Sequence, residues 1–266
     1  MPAPVTSGLT ALVLAGQRPG DDGMARAHGV ALKALIEIAG TPMIARVVAA
    51  LRASPSVGRI VIAAQQVEAL RAVLPETDRI VLREAEATPA RTVGAILAET
   101  GAPLLVTTAD HPLLTAEMVE SFVAGLPAGA DAAAGLARAE IIRRELPQTR
   151  RTWLRFADGD YSGCNLFLLS TPTASNAVAF WQRLEARRKS PWRMALLAGP
   201  VTLLLYASRR ATLATILRRL GRRAGARLAA IDLPFARAAV DVDKPADLAL
   251  VQTLLEPLVE SSLEHA

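Results

Sequence analysis

Short apolar runs alternate along this chain with longer stretches in which apolar positions recur every three or four residues. The first pattern reads as buried strands, the second as amphipathic helices. On that basis strands are expected at 10–14, 59–63, 79–82, 104–108, 130–136, 166–169, 201–205 and 227–231. Helices are expected at 42–53, 67–73, 90–99, 116–124, 175–188, 213–223 and 245–255. Thr41-Pro42 and Lys244-Pro245 both set a proline at a helix's first turn, where its missing N–H costs nothing. Strand–helix alternation over the first 125 residues predicts a mainly parallel sheet covered by helices. Such sheets bind ligands beyond the carboxyl ends of their strands.

The alternation breaks over 140–163, a polar stretch rich in arginine that predicts an inserted loop or hairpin over the sheet. Arg143, Arg144, Arg150 and Arg151 stand in it, directly ahead of Gly163-Cys164-Asn165. The first few residues and the acidic tail after Glu256 read as disordered.

The chain has 266 residues, half of them apolar, which suffices for a full core in one large domain or two small ones. Only Lys33, Lys189 and Lys244 are lysines among 30 basic residues. The net charge of +5 favours anionic partners: phosphorylated small molecules, nucleic acid or an anionic membrane surface. Nucleic acid is disfavoured, because aromatic residues for base stacking are few and no recognition motif appears. The single cysteine, Cys164, excludes an intrachain disulfide and a Cys-rich zinc site. It reads as a small packed residue, and a reducing cytoplasm is the expected location. No signal peptide is apparent, and the apolar stretch 194–207, interrupted by Gly199-Pro200, is too short to span a bilayer. Basic residues flank that stretch, which leaves two readings: a buried helix and strand with solvated flanks, or peripheral contact with the inner membrane face.

Three segments carry candidate chemistry. The first strand ends in Leu14-Ala15-Gly16, small residues that let a following loop approach a phosphate, and Lys33 lies beyond that loop as a point charge. In the second, Asp110 of Ala109-Asp110-His111-Pro112 stands at a strand tip, placed either to bind Mg²⁺ or to cap a turn. His111 reads as a turn residue. In the third, Asp241 and Asp243 share one side of an extended segment, while Asp247 falls in the first turn of the last helix. Either Asp241 or Asp243 is placed to supply a second metal ligand.

Together these segments resemble the MobA-like nucleotidyltransferases. The resemblance rests on Leu14-Ala15-Gly16-Gln17, Lys33-Ala34-Leu35, Thr41-Pro42-Met43-Ile44, Asp110-His111-Pro112 and the closing run Asp241 to Leu248, in the family's order. It implies an α/β, Rossmann-like GT-A nucleotidyltransferase fold: a mostly parallel central sheet flanked by helices, with a basic insertion near 138–163. It further implies a single domain over 1–266, with a nucleotide-binding half at 1–125 and an acceptor-binding half at 126–266. The implied reaction joins a nucleoside triphosphate, CTP or GTP, to a phosphorylated small-molecule acceptor and releases pyrophosphate. In that scheme Lys33 neutralises phosphate charge, and Asp110 with Asp241 or Asp243 holds Mg²⁺. Two departures stand out. Gln17 replaces the family's second glycine, and the loop after it is longer, so that Arg18 or Arg26 is expected to supply the phosphate-facing cation. Arg91 and Thr92, opening a helix at a strand's end, are candidates to face base or ribose. Asn165, after Gly163-Cys164, is a candidate for the acceptor side of the cleft, and Arg143, Arg144, Arg150 and Arg151 are expected to lie over that side. Competing readings are a molybdopterin guanylyltransferase proper, a sugar-nucleotide-binding glycosyltransferase, and a nucleotide-binding protein without activity.

Overall fold

The computed structural model of the chain describes residues 8–16, 23–187 and 190–256. The elements run β1 (Leu9–Leu14), α1 (Gly23–Ala27), β2 (Glu37–Ile38), β3 (Thr41–Pro42), α2 (Met43–Ala53), β4 (Val57–Ala64), α3 (Val67–Arg71) and β5 (Ile80–Glu84). Next come α4 (Pro89–Thr100), β6 (Leu104–Thr108), α5 (Ala116–Ala124), β7 (Ala132–Arg138), α6 (Ala139–Glu145), β8 (Leu154–Phe156) and β9 (Gly159–Leu169). The last third holds α7 (Ala174–Ala186), α8 (Pro191–Ala198), α9 (Pro200–Ala207), α10 (Leu213–Ala224), β10 (Leu228–Asp232) and α11 (Pro245–Leu255).

One sheet takes the order β10-β7-β9-β6-β1-β4-β5, with β8 attached to β9. β1 pairs in parallel with β4 and β6, β4 with β5, and β10 with β7. β9 alone runs antiparallel through the centre, between β6 and β7. A parallel sheet needs both faces covered, and β1 shows how alternation achieves it. Ala11 and Val13 join the larger core with Ile44, Val47 and Phe122, whereas Leu12 joins a second core with Val93, Ile96 and Leu104. Each such side chain, fully withdrawn from water, contributes roughly 1.5–3 kcal/mol. Thr88 and Thr115 cap α4 and α5 by accepting from the backbone N–H groups of Arg91 and Met118.

The predicted strand at 201–205 is not a strand. It lies inside α9, directly after α8, and both helices pack against α10. Gly199 and Pro200 explain the break: Gly199 takes φ +92, and a Cβ there would meet the Arg223 guanidinium at 2.5 Å. Pro200 then opens a new helix at its first position, and Leu203, Leu204 and Leu205 are good helix formers. The stretch 140–163 also differs in part. Its first residues form α6, and only its end is a hairpin, β8–β9. β9 therefore starts seven residues before the predicted strand at 166, because its polar first half carries no apolar run.

Candidate functional site

β1 and β6 lie side by side at the middle of the sheet, and their carboxyl ends deliver Gly16 and Asp110. Leu14 closes β1. Ala15 is buried, its N–H donating to the Ala63 carbonyl at 2.8 Å, and exposed Gly16 sits against the amide of Gln65. Lys33 opens a short 3-10 turn, Lys33–Leu35, whose neighbours Leu32, Ala34 and Ile36 are buried in the larger core. That anchoring directs its side chain to the end of β6.

The Lys33 ammonium donates to Asp110 Oδ2 at 2.7 Å, to the Val242 carbonyl at 2.9 Å and to Asp243 Oδ1 at 3.3 Å. Its three protons thus have three acceptors. The Lys33 side chain is 18% exposed and Asp243 63%. Burial acts to lower the Lys33 pKa, but the two carboxylates outweigh it and raise the pKa above its ordinary value. Asp110 keeps one carboxylate oxygen, Oδ1, buried and without a hydrogen bond. The Val242 N–H donates to the Asp110 carbonyl at 2.9 Å, pinning the acidic segment beside the strand tip.

Asp241 lines the same cleft as Asp243 but meets different partners. Its Oδ1 accepts from Arg151 and its Oδ2 from the Asn165 amide at 3.1 Å. Burial, with Asp243 and Asp110 nearby, pushes the Asp241 pKa up against the pull of Arg151 and Asn165. Arg151 also donates to Asp247, whose second oxygen accepts from the N–H groups of Asp243 and Lys244. The Arg151 side chain is only 6% exposed. Asn165 reaches Asp241 from a bulge. Between Ala134 and Leu136 on β7 the register shifts, the extra residues fall on β9, and Asn165 adopts φ +50.

A cleft of about 870 Å³ opens over this cluster, lined by Arg150, Arg151, Gly163, Asn165, Asp241 and Asp243 among others. The candidates Lys33, Asp110, Asp241, Asp243 and Asn165 therefore converge. Of the four arginines expected at the acceptor side, Arg150 and Arg151 line the cleft. Arg143 instead stands over the Trp153 ring and pairs with Asp160, and Arg144 pairs with Glu145. Arg91 is exposed in the first turn of α4. Thr92 is buried, its hydroxyl donating to the Thr88 carbonyl and accepting from the Glu86 N–H. Arg26 is exposed on α1, whereas Gln17 and Arg18 lie outside the described residues. His111 is buried, and burial pushes its pKa down to about 4 despite the nearby Asp110 carboxylate and the Arg237 and Ala238 backbone. Burial likewise raises the Cys164 pKa, and the thiol is packed in the core. Asp247 proved more than a helix-start acid: with Arg151 it forms the buried tie that holds Asp241.

The carboxylates do not form a closed cage. Among the described residues no group of three or more His, Cys, Asp or Glu side chains is arranged to hold a metal ion. The open oxygen of Asp110 and the mutual repulsion felt at Asp241 are the features that fit a cation bound partly by a ligand's own oxygens.

Residues 11–228 match the MobA-like NTP transferase domain. No curated protein sequence matches the chain. Among solved structures, a hypothetical transferase from Thermus thermophilus is 29% identical, with a TM-score of 0.78 over 91% of this chain and 99% of its own. CMP:2-keto-3-deoxy-manno-octonic acid synthetase complexed with CTP shares the fold at 14% identity and TM-score 0.57, covering 93% of this chain and 98% of its own. So does 2-C-methyl-D-erythritol 4-phosphate cytidylyltransferase from Thermus thermophilus, at 16% identity and TM-score 0.51, over 93% and 98% of the two chains. The segment Asp241 to Asp247 lies beyond the matched residues and enters the site through its geometry.

Proposed function

The chain belongs to the MobA-like NTP transferases and is a nucleotidyltransferase; from that premise we propose that it joins a nucleoside triphosphate to a phosphorylated small-molecule acceptor in a Mg²⁺-dependent reaction. An oxygen of the acceptor phosphate attacks the α-phosphorus, the new P–O bond forms as the bond to the β-phosphate oxygen breaks, and pyrophosphate leaves. No side-chain nucleophile is needed, and the Cys164 thiol is buried. Catalysis then rests on positioning and on charge neutralisation.

The observation that carries this reading is the Lys33–Asp110–Asp243 cluster at the carboxyl ends of β1 and β6, beside a cleft lined by Arg150 and Arg151. Lys33 contributes a cation for the triphosphate. Asp110, through its open Oδ1, is the first metal ligand. Asp243 is the second, because both oxygens of Asp241 are taken by Arg151 and Asn165. Mg²⁺ held by Asp110 and Asp243 would supply further neutralisation of phosphate charge. Asn165 and Arg150 face the acceptor. The fold neighbours favour CTP: one is solved with CTP and another is a cytidylyltransferase for a phosphorylated acceptor.

A thermal-shift panel of CTP, GTP, UTP, ATP and dTTP with Mg²⁺ tests the proposal, since a ligand bound to the native state raises stability by mass action. The expected result is a Mg²⁺-dependent rise with CTP above the others. No shift with any triphosphate overturns the reading in favour of the glycosyltransferase or inactive-binder alternatives, and a GTP preference moves it toward the guanylyltransferase.

A further inference from the structure

The pair α8–α9 turns an apolar surface outward. Trp192 and Leu196, four residues apart on one face of α8, are 61% and 59% exposed, and Leu204 on α9 is 69% exposed beside Val201. Among the described residues no helix is long and apolar enough to cross a membrane. The surface is held rigidly: Arg223 of α10 donates to the carbonyls of Leu196 and Leu197 at the end of α8, and its guanidinium occupies the space a side chain on Gly199 would need.

Positive charge is concentrated in the stretch of sequence that contains this surface. Residues 183–223 hold eleven Lys and Arg against one acidic residue, Glu185, a net +10 in a chain of net +5, so the other residues sum to −5. Arg183, Arg187 and Arg193 line an open concavity of about 460 Å³ next to Trp192 and Leu196. Arg193 lies over the Trp192 ring at 5.1 Å. Among the described residues, Arg183, Arg187, Arg193, Arg209 and Arg210 form no ion pair. Among the described residues the most buried salt bridges lie at the candidate site, on other elements.

We propose that α8–α9 is a docking surface for an anionic lipid bilayer: Trp192, Leu196, Val201 and Leu204 enter the headgroup–acyl boundary, and the surrounding arginines engage lipid phosphates. A tryptophan and leucines on an exposed helical face, rimmed by arginine, is the composition that partitions to such an interface. A second copy of the chain is the weaker occupant, because it would bring a second net +10 against the first.

The test is co-sedimentation of the full chain with phosphatidylcholine vesicles, with and without phosphatidylglycerol, at ~0.15 M salt, where charges beyond a Debye length are screened. Partitioning at least tenfold stronger with phosphatidylglycerol is expected. Leu196→Glu/Leu204→Glu is expected to lower it at least tenfold while the triphosphate thermal shift stays unchanged. Brominated lipid is expected to quench tryptophan fluorescence in the wild type and not in Trp192→Phe. Equal partitioning into both vesicles, or none into either, overturns the proposal. So does a dimer in light scattering that Leu196→Glu/Leu204→Glu dissociates without any vesicle binding, which assigns the surface to a second copy.

Discussion

Lys33 and Asp110, 77 residues apart in the chain, meet at 2.7 Å where β6 ends. The contact satisfies one oxygen of the carboxylate and leaves the other buried and open. It holds a cation and an anion ready at the place where a phosphate chain would arrive. In the proposed reaction a triphosphate would compete with Asp110 and Asp243 for the ammonium.

Asp110→Asn is expected to cut turnover by at least about a hundredfold, the size of losing one preorganised electrostatic group in a reacting site. The variant stays folded, because Lys33 retains the Val242 carbonyl and Asp243 as acceptors. Pyrophosphate release against Mg²⁺ concentration measures it, with circular dichroism as the fold control. Unchanged activity with unchanged Mg²⁺ dependence would remove Asp110 from the site. Asp243→Asn should match the Asp110 loss, and Asp241→Asn should show a smaller one.

Lys33→Ala is expected to raise the KM for the triphosphate and slow turnover, and Lys33→Arg to rescue it only in part. The pocket offers three single acceptors arranged around an ammonium, and a planar guanidinium fits them poorly. Steady-state kinetics on both variants decides. Wild-type behaviour in Lys33→Ala would transfer the phosphate-binding role to Arg18 or Arg26.

The sequence order made Lys33, Asp110 and the acidic segment legible, because each sits at a strand or helix boundary whose pattern is local. The alternation of strands and helices was legible for the same reason: 104–108 is found as the strand Leu104–Thr108 and 245–255 as the helix Pro245–Leu255. The tie of Arg151 to Asp241 and Asp247 was not, since it joins a loop to residues 90 and 96 positions later and no periodicity encodes it. Nor was the bulge that aims Asn165 at Asp241. The misreading at 201–205 has another cause. A short apolar run looks alike as a buried strand and as part of a helix, and here its neighbours Gly199 and Pro200 decided for the helix.

Arg151→Met is expected to destabilise the protein by about 2–3 kcal/mol, because it leaves Asp241 and Asp247 without their shared cation. The value falls at the low end for a broken buried pair, since Asp241 keeps the Asn165 amide and some contact with water. Urea denaturation at neutral pH measures it. A loss below about 0.5 kcal/mol would mean that the tie is worth no more than a surface ion pair.

Acid stability should follow His111. Its folded pKa lies below the unfolded value, so the unfolded chain binds the proton first. The stability of the neutral ring is fully present above pH 6.5 and is lost as the pH falls from 6.5 toward 4. Across that window the loss reaches about 3 kcal/mol. Urea unfolding in chelator across that range should show the slope, and His111→Leu should flatten it. An equal slope in the variant would place the acid sensitivity elsewhere.

Arg150 separates acceptor from nucleotide. It lines the cleft with Gly163 and Asn165, whereas Arg144 stands outside the cleft on α6, paired with Glu145. Charge reversal in Arg150→Glu should raise the KM for the phosphorylated acceptor roughly tenfold, the effect of about 1.4 kcal/mol of lost attraction. The KM for the triphosphate should change far less, because Lys33 and Asp110 do not line the part of the cleft that holds Arg150. Arg144→Glu makes the same change in net charge outside the cleft, so it isolates proximity from long-range field. Equal shifts in both KM values for Arg150→Glu, or an equal effect from Arg144→Glu, would make the arginines a general electrostatic feature and leave Asn165 as the acceptor-facing group to test next.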